Sequence, residues 1–96
     1  MTQTERTKMN GNKYILTDED DYVIFTPLID HSKMANVLRG EPISAGFCDV
    51  IGDEDDCGNP ISKVRVWGES VTLGIKAVES DGDKISKMMN KWVMGY

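Results

Sequence analysis

Few residues in this 96-residue chain have types and spacings that suit chemistry. His31 is the only histidine, and Cys48 and Cys57 are the only cysteines. Nucleophilic catalysis needs a Ser or Cys beside a base that is itself oriented by a third group, and no local spacing here supplies one. Gly68-Glu69-Ser70-Val71-Thr72 is one residue short of a nucleophile elbow, because Thr72 stands where a second glycine is required. Two Cys and one His offer three zinc ligands at no recognised spacing. The run from Asp53 to Gly58 resembles the start of a calcium loop, but its fifth position is Cys57 and its twelfth is Val64, where oxygen ligands are needed. It reads as a solvated hairpin tip, as does Asp18 to Asp21. No catalytic residue, metal ligand or cofactor site is therefore expected, and the two thiols are expected to be free.

The elements that must position these residues can be read from periodicity. Residues 1–12 are polar and aperiodic and are expected to form a flexible tail, leaving 13–96 as one domain. Lys13 to Thr17 and Tyr22 to Thr26 form a hairpin pattern around the acidic turn, closed by Pro27. Asp30 or Ser32 caps a helix of about two turns, with Met34, Val37 and Leu38 on one face and Gly40 at its end. Ile43 to Ile51 alternates, with Ile43, Ala45, Phe47 and Ile51 on one face and Ser44, Gly46 and Cys48 on the other. Ile61 to Trp67 and Val71 to Ala77 complete the strands. Ile85, Met88, Met89, Trp92 and Val93 fall at i, i+3, i+4, i+7 and i+8, a helical stripe. Ser80 and Asp83 form an approximate capping box before it, and Gly95 marks its end. The order β-β-α-β-β-β-α predicts an α+β fold of two layers, an antiparallel sheet of about five strands with both helices on one face.

Sixteen acidic against eleven basic residues give a net charge of −5, which argues against general nucleic-acid binding. No apolar run approaches a membrane span, and the N-terminal segment lacks a secretory core, so a cytoplasmic protein is expected.

If the alternating apolar residues face the terminal helix, the opposite face collects Ser44, Gly46 and Cys48 from one strand, Lys63, Arg65 and Trp67 from another, and Thr72, Gly74 and Lys76 from a third. Hydroxyls and cations suit phosphate oxygens, glycines admit a flat ligand, and Trp67 suits stacking on a base. Ser70 is a further candidate polar contact, and His31 a secondary one at a helix N-terminus that offers free N–H groups to an anion. An ordinary solvated sheet face is the alternative. The methionines of the terminal helix, Met88, Met89 and Met94, suit either the core or a self-association seam, making a homo-oligomer the expected state.

Tyr22-Val23-Ile24-Phe25, His31-Ser32, Ser44-Ala45-Gly46-Phe47 and Gly68 to Lys76 together resemble a widespread family of short, uncharacterised bacteriophage and prophage accessory proteins. The resemblance spans about Tyr14 to Asn90. It departs from the family at Ala77, where a hydroxyl residue is expected, and in the acidic segment 53–56. The resemblance implies a non-enzymatic anti-defence protein acting in the bacterial cytoplasm. Such a protein would bind and sequester a nucleotide immune signal through Ser44, Gly46, Arg65, Trp67, Ser70, Thr72, Lys76 and His31. The alternative is an acidic inhibitor whose segments 18–21 and 53–56 engage a basic host defence protein.

Overall fold

The computed structural model describes the backbone of residues 9–93 and the side chains of residues 11–90. The order is β1 (Met9–Thr17), β2 (Tyr22–Phe25), α1 (His31–Met34), β3 (Pro42–Glu54), β4 (Pro60–Trp67), β5 (Glu69–Ser70), β6 (Ile75–Lys76) and α2 (Asp81–Val93), with a 3-10 turn (Ala35–Val37) extending α1. Four strands pair antiparallel as β2-β1-β3-β4, while β5 and β6 form a separate two-stranded ribbon. The chain is α+β, as expected.

The strand boundaries shift for local reasons. β1 begins at Met9, so the last four residues of the expected tail belong to the sheet; residues 1–8 lie outside the described part. The strand expected over Val71 to Ala77 is instead a tight hairpin. Its turn closes through Gly74 N donating to Ser70 O at 2.9 Å, with Gly74 at φ +69°, a conformation that extended alternation does not anticipate.

α2 and the sheet form the main two layers. Ile85 is fully buried against Tyr14, Leu16, Cys48 and Val64, with Met88 and Met89 packed around them. Burying such side chains contributes roughly 1.5–3 kcal/mol each. Met88 and Met89 thus serve the core of the single chain. Trp92, Val93, Met94 and Gly95 lie outside the residues whose side chains are described. Capping also differs from expectation. Asp81, rather than a Ser80–Asp83 box, receives the hydrogen bonds at this end, from Tyr14 Oη (2.5 Å) and Val78 N (3.1 Å).

α2 also closes the outer edge of β4. Asn90 Oδ1 accepts from Ser62 N (2.8 Å), and Asn90 Nδ2 donates to Ser62 O (3.0 Å). Ser86 Oγ accepts from Val64 N at 2.8 Å. One turn earlier stands Gly82, where a Cβ would collide with Val64 O. Gly82, Ser86 and Asn90 form one i, i+4, i+8 stripe that satisfies an edge otherwise open to strand addition.

The principal correction concerns β3. The residues facing α2 are the even-numbered ones, Tyr14 and Leu16 of β1 and Cys48 and Val50 of β3, together with Val64 and Val66. The odd-numbered Ile15 and Ala45, with Phe25, form a second cluster beneath Met34, Ala35, Leu38, Leu73 and Ile75. The two helices therefore cover opposite faces of the sheet. The centre of β3 is buried on both faces, so its alternation holds no information about which side meets α2. Val37, expected on one helix face with Met34 and Leu38, is exposed while those two pack on the second cluster.

Candidate functional site

The odd face is not covered along its whole length. Register places Phe25, Lys13, Phe47 and Trp67 directly opposite one another across all four strands. Residues opposite in an antiparallel ladder share a face, so the row forms one continuous ridge. The start of α1 drops His31 onto this ridge. Its ring meets Phe25 edge-on at 5.5 Å and Phe47 at 6.2 Å, and Phe47 in turn stacks on Trp67 at 6.4 Å and 25°. Between α1, the ridge and the β5–β6 hairpin lies an open groove of about 460 Å³, lined by Lys13, Asp30, His31, Phe47, Trp67, Gly68, Glu69, Val71 and Thr72.

Trp67 is 44% exposed and Val71 83% exposed, so the rim is apolar and solvent-facing. The ring platform is fixed from behind. His31 is buried and its Nε2 lies 2.9 Å from Gly46 O. A carbonyl only accepts, so Nε2 carries the proton and Nδ1 is the acceptor of a neutral ring. Burial lowers the His31 pKa, and the Lys13 ammonium adds to this against the opposing pull of Gly46 O and Asp30. Lys13 Nζ donates to Ile29 O at 2.9 Å, which ties its charge to the loop before α1.

The structure separates the expected site residues into three groups. His31, Trp67 and Thr72 come together in the groove. Arg65 and Lys76 are exposed near it. Arg65 lies two residues before Trp67 on the same face of β4 and is held by Asp49 at 3.3 Å, while Lys76 pairs with Glu69 in the hairpin register. Ser44, Gly46 and Ser70 are corrected: they are buried and form no ligand surface. Ser44 is 1% exposed, on the α2 face with Tyr14 opposite Gly46 in register. A Cβ on Gly46 would stand 2.5 Å from Trp67 O and 3.1 Å from Ala77 Cβ, so this glycine serves a close crossing of the chain. Ser70 Oγ accepts from Leu73 N at 3.2 Å and stabilises the hairpin.

Sequence reasoning missed Lys13, Asp30, Phe47 and Glu69. The first and third were findable only through the register of β1 on β3, which depends on pairing between distant segments. The acidic runs prove architectural in large part. Asp18 Oδ1 accepts from Glu41 N, Asp21 Oδ2 from Arg39 N, and Asp55 Oδ1 from Cys57 N and Asn59 N, each at 2.9 Å. Glu54 N–H and Lys63 hold Asp53 below its ordinary pKa, and the Asn59 N–H does the same for Asp55. Cys48 and Cys57 are free thiols, the first buried and the second exposed. Among the described residues, no three His, Cys, Asp or Glu converge in a metal-holding arrangement, and no helix is long and apolar enough to cross a membrane.

No family model matches the chain, and no curated protein or solved structure is significantly similar to it.

Proposed function

We propose that this chain is a small binding protein that captures a nucleotide by stacking its base on Trp67, and that it acts by sequestration rather than turnover. The supporting observation is the ring platform: a half-exposed Trp67 backed by Phe47 and a locked His31, at the rim of a groove of about 460 Å³. Stacking of this kind is worth about 1–3 kcal/mol per base. Arg65 lies on the same face, two residues from Trp67, which is about 7 Å along a strand, within reach of a phosphate attached to a stacked nucleoside. Capture is favoured over catalysis because Ser70, Cys48 and the Nε2–H of His31 serve the fold. His31 donates to Gly46 O, Ser70 Oγ accepts from Leu73 N, and burial pushes the Cys48 thiol up to about 12.

The biological role in this reading is the one the phage-family resemblance implies: withdrawal of a nucleotide immune signal inside a bacterial cell, by an assembly of several copies. The acidic-inhibitor alternative has weaker support, since Asp18, Asp21 and Asp55 are used as acceptors inside their own turns. Calorimetry with cyclic dinucleotides and ADP-ribose-derived nucleotides tests the proposal. Binding that is lost in Trp67→Ala is expected. The absence of heat and of thermal shift across the panel, at high protein concentration, overturns it.

A further inference from the structure

The charges inside the groove do not suit a phosphate. Among the described residues its lining cation is Lys13, which is held by Ile29 O, whereas the carboxylates of Asp30 and Glu69 line the same space with no hydrogen bond from a described residue. A further polar group there, besides the Thr72 hydroxyl, is His31. It is 3% exposed, its Nε2–H is spent on Gly46 O, and its Nδ1 lone pair has no partner among the described residues. A planar ligand entering beside Trp67 therefore meets two carboxylates and an imine nitrogen, which only accept, together with the Thr72 hydroxyl, which donates or accepts. The two carboxylates favour a ligand edge that carries donors and keep its phosphates outside, toward Arg65.

Resting on the nucleotide reading above, we propose that the groove selects guanine. Guanine presents an N1–H and an exocyclic 2-amino group side by side, and a carboxylate takes such a pair in two parallel hydrogen bonds. Adenine and cytosine each present a single amino group next to an unprotonated ring nitrogen, which would face a carboxylate lone pair to lone pair. Hypoxanthine keeps the N1–H and lacks the 2-amino group, so it isolates the second bond. A hydrogen bond to a charged group corresponds to a factor of about ten or more in affinity.

The test is titration of the full chain with GMP, IMP, AMP and CMP at up to millimolar concentration, read by quenching of tryptophan fluorescence with Trp67→Phe as the control. The expected order is GMP tightest, IMP weaker by about tenfold, and AMP and CMP weaker still. Asp30→Asn combined with Glu69→Gln, with folding checked by thermal melting, is expected to weaken GMP by at least tenfold and to erase its advantage over IMP. Equal affinity for all four nucleotides, or a double variant that keeps the guanine preference, overturns guanine selection and leaves the nucleotide reading standing. Failure of all four to bind wild type overturns guanine selection, and silence of the cyclic dinucleotides and ADP-ribose-derived nucleotides as well overturns both.

Discussion

Tyr14→Phe removes one oxygen from the centre of the molecule and gives a quantitative test of how α2 is anchored. Tyr14 is fully buried, and its hydroxyl donates to Asp81 Oδ2 at 2.5 Å, joining β1 to the first residue of α2 across 67 positions of sequence. Asp81 is itself buried, and among the described residues its carboxylate keeps the bond from Val78 N once the phenol is gone. Losing a buried hydrogen bond to a charged partner costs about 1.5–3 kcal/mol. For a domain of this size that lowers Tm by roughly 6–24 °C. The pH dependence is a second signature. Burial raises the Tyr14 pKa far above its ordinary value of about 10, and the hydrogen bond to Asp81 and the Asp81 charge add to it. The folded state thus keeps a proton that the unfolded chain releases above about pH 10. The stability tied to the neutral phenol is complete below that pH and is lost as pH rises beyond it, by about 1.4 kcal/mol per unit. Urea denaturation of both proteins from pH 7 to 11 reads the difference directly. Wild type is expected to be the more stable at pH 7, with the gap closing above pH 10. A Tyr14→Phe protein as stable as wild type, or a gap unchanged to pH 11, refutes the reasoning.

Asn90→Ala deletes both hydrogen bonds to Ser62 and reopens the β4 edge; a loss of about 1–2 kcal/mol and faster aggregation in light scattering are expected. Gly46→Ala places a methyl group 2.5 Å from Trp67 O and is expected to destabilise by about 1–3 kcal/mol in the same denaturation assay. A thiol reagent at neutral pH is expected to modify Cys57 promptly and Cys48 only in denaturant, read by mass spectrometry, because Cys48 is buried with its thiol pushed up to about 12. His31 has a folded pKa below that of the unfolded chain, so its contribution to stability is present above about pH 6.5 and lost as pH falls; the advantage of wild type over His31→Gln is expected to shrink between pH 7.5 and pH 5 in urea melts.

Legibility in the sequence followed the reach of each signal. The stripe Ile85, Met88, Met89 is local, and a helical period specifies it without reference to the rest of the chain. Val64 and Val66 likewise face α2 as their alternation implies. β3 was ambiguous because Ser44, Ala45 and Gly46 are all buried. Their small side chains fit a crowded crossing of backbone near Trp67 and Ala77, and smallness was easily taken for polarity and exposure. The expected face of Ser44, Gly46, Arg65, Trp67, Thr72 and Lys76 dissolved for that reason. Trp67 and Thr72 stayed together because both flank Gly68 and the hairpin, while Lys13 and Phe47 joined them through a register that only the folded sheet sets. Asp81 carried no signal at all, since its partner lies on the first strand.

The claim that a ligand stacks in the groove beside Trp67 is tested most directly by mapping amide and indole chemical shifts during titration with GMP. The account predicts saturable changes confined to Trp67, His31, Asp30, Glu69, Thr72 and their immediate neighbours, with α2 unmoved. Shifts clustered on α2 and the β4 edge, or no shifts with any nucleotide, would contradict it.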